Sequence, residues 1–112
     1  MNFKRHITLA VVAIGMLLAT ASANAADCES ATVVRLGVNP ANTFGGSNYF
    51  AQLDCANDSV WAGTVSFYLS SDLGDSGLAT LLTATSLGQP VWVRTAGITT
   101  GSLVTVVYMN AP

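Results

Sequence analysis

Asp75-Ser76-Gly77-Leu78-Ala79-Thr80-Leu81-Leu82-Thr83-Ala84-Thr85-Ser86-Leu87-Gly88-Gln89-Pro90 is the stretch on which the architecture turns. Leu78, Leu81, Leu82 and Thr85 recur at helical spacing, with Ala79 and Ala84 alongside, so the segment reads as a helix with that stripe inward. Asp75 or Ser76 stands where a helix takes its N-terminal cap, and Asp72 and Asp75 are acids suited to its start. Gly88 fits the left-handed residue that ends a helix, and Pro90 prevents continuation. Threonines at positions 80, 83 and 85 are poor helix formers, so packing has to hold this helix in place.

On both sides of the helix the apolar residues alternate with period two, the mark of half-buried strands. In residues 32–38, Val34, Leu36 and Val38 face one way and Arg35 the other; the loop 39–48 follows, with a proline and paired glycines. Residues 49–55 place Tyr49, Ala51, Leu53 and Cys55 inward, with Gln52 and Asp54 opposite. After a polar turn over 56–59, Trp61 reads as a local plug of the core. Residues 64–69 turn Val65, Phe67 and Leu69 inward and Thr64, Ser66 and Tyr68 outward. Beyond the helix, residues 91–95 carry Val91 and Val93 inward and Trp92 and Arg94 outward, and a last strand is expected over 102–110. Three strands, a helix, then two strands is the order of a five-stranded OB-fold barrel, mainly β, whose helix plugs one open end. A ferredoxin-like fold would need a helix in the loop 39–48, which its composition does not supply.

The chain opens on Met1-Asn2-Phe3-Lys4-Arg5-His6, a cationic head, followed by an uncharged apolar run and then Ala23-Asn24-Ala25. This is the pattern of a cleavable signal peptide over residues 1–25, leaving a single domain over 26–112. The apolar run is short for the ~20 residues of a bilayer span, so no membrane span is expected after cleavage. Asp27 precedes Cys28, which does not suit a lipoprotein acceptor, and Lys4-Arg5 lacks the surroundings of a twin-arginine signal. A bacterial protein, periplasmic or secreted, is the expected outcome.

Cleavage would leave Arg35 and Arg94 as the only cations, against Asp27, Glu29, Asp54, Asp58, Asp72 and Asp75, a net charge of −4 with no histidine. Two arginines cannot make the basic track that nucleic acid or anionic lipid requires. Ser-His-Asp and Cys-His catalysis lack their imidazole, and zinc lacks its ligands, so neither cofactor nor metal is expected. Cys28 and Cys55 are an even pair, expected to bridge in an oxidising compartment. Closing the loop between them is worth about 3.6 kcal/mol in the chain-entropy model, a large fraction of what so small a domain has.

Asn48-Tyr49-Phe50, Ser59-Val60-Trp61, Gly88-Gln89-Pro90-Val91 and the spacing from Trp61 to Gly88 resemble known proteins. They look like the OB-fold receptor-binding subunits of bacterial pentameric-B toxins, the subtilase cytotoxin and pertussis-like branch, and the uncharacterised small exported proteins that share their pattern. The likeness covers most of the chain after residue 25, on short motifs; the chain is shorter than those subunits and can form one disulfide. The resemblance implies a homo-oligomer that binds a glycan or protein receptor. It also sets Ser30 at the place of a serine, just ahead of the first strand, that contacts sialylated or other glycans. Together with the outward Tyr68, Trp92 and Arg94, Ser30 completes the candidate ligand-binding set. The function expected is a non-catalytic binding module, a glycan- or receptor-binding subunit of an oligomer. The alternatives are a stand-alone periplasmic interaction protein and, last, a small hydrolase.

Expression of the full chain in a bacterial host is expected to yield exported protein beginning at Ala26. Intact-mass measurement that found residues 1–25 retained on the folded product would refute the signal peptide.

Overall fold

The computed structural model describes residues 25–110; the leader read over residues 1–25 lies, Ala25 apart, outside them. Five strands and one helix follow in order: β1 (Ala26–Val38), β2 (Tyr49–Cys55), β3 (Thr64–Leu69), α1 (Gly74–Leu87), β4 (Val91–Thr95) and β5 (Leu103–Met109). The strands close into a barrel in the order β1-β2-β3-β5-β4. The β3–β5 contact is parallel and all others are antiparallel. The fold expected from the strand and helix order is therefore the fold found, an OB-fold-like barrel with its helix between the third and fourth strands.

β1 is longer than expected. It starts at Ala26 rather than near residue 32, pairing first with β4 (Ala26 to Thr95, Cys28 to Val93) and then with β2 (Val33 to Leu53, Leu36 to Ala51). A bulge between Val33 and Arg35 adds a residue against β2 and shifts the alternation. Val33 and Leu36 consequently pack on the core, while Val34 and Val38, both expected inside, are 51% and 59% exposed. The extra residue sets Val34 outward, whereas Leu36 is inward as expected and Val38, of the same parity, is exposed as the last residue of the strand.

The helix also differs from its sequence reading. Its inward residues are Gly77, Leu81 and Ala84, with Leu78 packed against them; Leu82 is exposed and Thr85 faces solvent. The stripe is rotated because Gly77 gives closest approach to the preceding turn, where a Cβ would stand 2.8 Å from Leu73 Cβ and 3.1 Å from Leu69 Cδ2. No side chain caps the N-terminus; Asp75 instead accepts a hydrogen bond of 2.6 Å from the Tyr49 hydroxyl. The C-terminus is as read: Gly88 is left-handed (φ 65°), its N–H bonds to Thr85 O and that of Gln89 to Ala84 O. That pair of bonds satisfies two carbonyls that the helix leaves open.

Ala31, Ala51, Leu53, Phe67, Leu69, Val91, Val93 and Val104 fill the barrel, and Leu81 joins them from the helix. Trp61 is the plug expected: it is 4% exposed, its indole N–H donates to Leu53 O at 3.2 Å, and its ring meets Phe67 edge-on. Cys28 and Cys55 are bridged within this core, tying the first half of β1 to the end of β2. Among the described residues no helix is long and apolar enough to cross a membrane.

Cys55→Ser is expected to lower stability by roughly 2–5 kcal/mol, since it frees the chain from 28 to 55 in the unfolded state. Chemical denaturation of oxidised wild type against the variant measures this; two alkylatable thiols in the oxidised protein would contradict the bridge.

Candidate functional site

The alternation of β4 sends Val91 and Val93 into the barrel, so Trp92 and Arg94 must point out. Trp92 is half-buried, because Tyr108 of β5 lies directly opposite and its ring tilts against the indole at 5.4 Å between centroids. Arg94 places its guanidinium over the same indole, 5.4 Å from the ring centre. From there it forks onto Asp27 of β1, donating from Nε to Oδ1 at 2.7 Å and from Nη2 to Oδ2 at 3.1 Å. The bidentate pair crosses the seam that closes the barrel, since Asp27 and Arg94 are register partners.

Its electrostatics follow directly. The hydrogen bond from Arg94, helped by its charge, holds the Asp27 carboxyl below the usual carboxylate range, and Asp27 in turn raises Arg94. Both side chains remain solvent-exposed, so the pair fixes orientation more than it stabilises the fold.

On its far side Asp27 borders a cleft of about 410 Å³, which Glu29, Ser30, Ala56, Asn57 and Val60 also line. Ser30 is not ahead of the first strand, as expected, but inside it. Its carbonyl accepts from Ala56 N at 2.9 Å, fixing the turn after β2 as one wall of the cleft. Ser30 also borders a second hollow of about 210 Å³ under the helix C-terminus, beside Thr85, Gln89 and Pro90. Two carboxylates, an amide and a hydroxyl line the larger cleft together with two small apolar side chains. Such a set can orient a polyhydroxylated ligand by hydrogen bonds. Among the described residues no cluster of three histidine, cysteine or acidic side chains is placed to hold a metal ion.

Ser30, Trp92 and Arg94 thus belong to one continuous surface, joined through Asp27. Tyr68 does not. It does face away from the barrel interior, between the inward Phe67 and Leu69, but it is only 8% exposed, so the open platform expected of it is absent. Phe44 from the loop between β1 and β2 stacks on it, and Asn39 bonds its hydroxyl. Tyr68 registers with Leu103, whereas Trp92 registers with Tyr108, five residues on along β5, about 17 Å at the rise of a strand.

Asp27 and Tyr108 are the site residues that sequence reasoning missed. Asp27 lay in a segment not read as strand, although its position before the buried Cys28 was a usable signal. Tyr108 was hidden by a second bulge: Arg94 pairs with Val106 but Thr95 with Val104, leaving Thr105 extra. Counting by twos from the buried Val104 would have turned Tyr108 inward; the bulge turns it out, where it is 60% exposed. No family model matches the chain, and neither the curated proteins nor the solved structures compared with it gave a match.

Because the Asp27 pKa is depressed by folding, the pair's contribution is fully present above the ordinary carboxylate value of 3.8 and is lost as pH falls below it. In a carboxyl NMR titration, Arg94→Ala is expected to move the Asp27 midpoint up towards that value. An unmoved midpoint would dissolve the pair in solution.

Proposed function

We propose that the chain is an exported, non-catalytic binding module that recognises a glycan through the cleft around Ser30 and the adjoining Trp92–Tyr108 rings. One observation carries this reading. The serine suggested by resemblance to toxin receptor-binding subunits and the outward tryptophan read from strand alternation lie on one surface, linked by the Asp27–Arg94 pair. The chemistry suits a sugar: hydrogen-bonding side chains line the cleft, and an aromatic pair beside it can stack on the apolar face of a pyranose ring. Arg94 is engaged by Asp27, and Glu29 adds a second carboxylate to the cleft, so a ligand rich in hydroxyl or amine groups fits better than a polyanion. The disulfide is in keeping with a periplasmic or secreted location. Assembly into a ring of subunits, as in the resembled pentameric-B toxins, would set several such clefts side by side and multiply weak affinities.

The test is a glycan array probed with oxidised protein, then titration of the retained glycan against two variants. Ser30→Ala and Trp92→Ala are expected to weaken binding, the latter by more than ~2 kcal/mol as for a central interface aromatic, with little change in melting temperature. Trp61→Ala, a core change, would instead cost about 3–5 kcal/mol of stability. Retention of no glycan, or unfolding by Trp92→Ala, would overturn the reading. The mass of the protein in solution decides between a ring and a monomer.

A further inference from the structure

The bond that removal of the leader would cut, Ala25–Ala26, stands directly against the barrel. Ala25 is exposed and lies outside the strands, whereas Ala26 opens β1 and pairs at once with Thr95 of β4. The three residues that follow the bond are each held in a different way. Ala26 belongs to the ladder, and its carbonyl accepts from the Thr95 hydroxyl at 3.5 Å. Asp27 is gripped by two hydrogen bonds from Arg94. Cys28 is wholly buried and bridged to Cys55.

The partner strand gives no slack. Thr95 is wholly buried, and on its other side it registers with Val104 of β5. β4 is therefore flanked on both sides and cannot follow Ala26 outward without opening the barrel. Strand ends ordinarily fray at little cost. Fraying of Ala26 alone breaks one rung of the ladder, but fraying that reaches Asp27 has to break the bidentate pair with Arg94. Cys28 cannot leave at all while its bridge is intact.

The recognition signal, Ala23-Asn24-Ala25, lies before the bond, and the barrel begins immediately after it. A peptidase takes its substrate as an extended, unpaired segment on both sides of the bond it cuts, and a segment already paired in a ladder is withheld from it. Cutting such a bond in a folded protein proceeds through the fraction of molecules that are locally open.

We infer that closure of the seam between β1 and β4 is a gate on processing: the leader can be cut while the two strands are apart, and the bond is protected once they have paired. The gate rests on the reading of residues 1–25 as a cleavable leader. The cut itself is a hydrolysis, in which water adds across the Ala25–Ala26 amide and leaves a carboxylate on Ala25 and an ammonium on Ala26. The Asp27–Arg94 pair is the latch, because it holds the first side chain that must swing free for the bond to enter a peptidase cleft. A barrel that closes uncut keeps an apolar leader on the end of β1, whereas one that is cut first is released.

The experiment presents the full chain, refolded and oxidised in detergent, to purified bacterial signal peptidase and follows the cut by intact mass. Three further samples are run beside it: the same chain reduced and held unfolded in urea, a folded variant with Gly-Ser-Gly-Ser inserted between Ala25 and Ala26, and folded Arg94→Ala. The unfolded chain and the insertion variant are expected to be cut after Ala25 about tenfold faster or more than the folded wild type. Arg94→Ala is expected to fall between them with its fold retained. A folded wild type cut as fast as the insertion variant, or an insertion variant as resistant as the folded wild type, would overturn the gate. An Arg94→Ala rate equal to that of the wild type would overturn the latch. Failure to cut even the unfolded chain would instead refute the leader, and the gate with it.

Discussion

The barrel closes because one strand pairs along its first half with β4 and along its second half with β2. Ala31 is the pivot, registered with Val91 on one side and Cys55 on the other, and wholly buried. A straight strand of thirteen residues could not serve both partners. The two irregularities in β1, between Cys28 and Ala31 against β4 and between Val33 and Arg35 against β2, give it the bend and twist that closure demands. The disulfide lies beside the pivot, so the covalent link and the change of partner reinforce each other.

The same constraint lays out two surfaces of the barrel. Where β1 pairs with β4, its outward residue Asp27 meets Arg94, and the Trp92–Tyr108 pair follows along the neighbouring strands. Where β1 pairs with β2, Gly37 meets Phe50, and the aromatic row runs on to Tyr68. Each surface is a register line across the barrel, and each depends on a residue of β1 that looks unremarkable alone: an aspartate in one, a glycine in the other.

The element order was legible because three short alternating segments, one helix with a glycine stop and two more segments fit few architectures. β2, β3 and β4 were read correctly residue by residue, since nothing interrupts their alternation. The failures coincide with bulges. Val34 was turned inward and Tyr108 was overlooked because an inserted residue inverts the faces without leaving any mark in composition; Val38 is exposed because the strand ends there. The first part of β1 was missed for another reason: Asp27, Glu29 and Ser30 suppress the apolar signal of a strand whose inward positions are Cys28 and Ala31. Burial of Tyr68 was out of reach as well, because its cover comes from Phe44 in a loop folded back by Asn42. That is a tertiary event, and no local pattern announces it.

The pairing of Ala26 with Thr95 has a consequence for the order in which the chain can assemble. Synthesis delivers β1, β2 and β3 first, and these can form a hairpin-linked sheet on their own. The first half of β1 then has no neighbour on its β4 side until nearly the whole chain has emerged, and an unpaired edge invites pairing with other chains. The bridge from Cys28 to Cys55 needs only residues already present at that stage. Formed early, it fastens the waiting edge to β2 and holds it for a partner that arrives last. For this topology the timing of oxidation matters as much as the stability it confers.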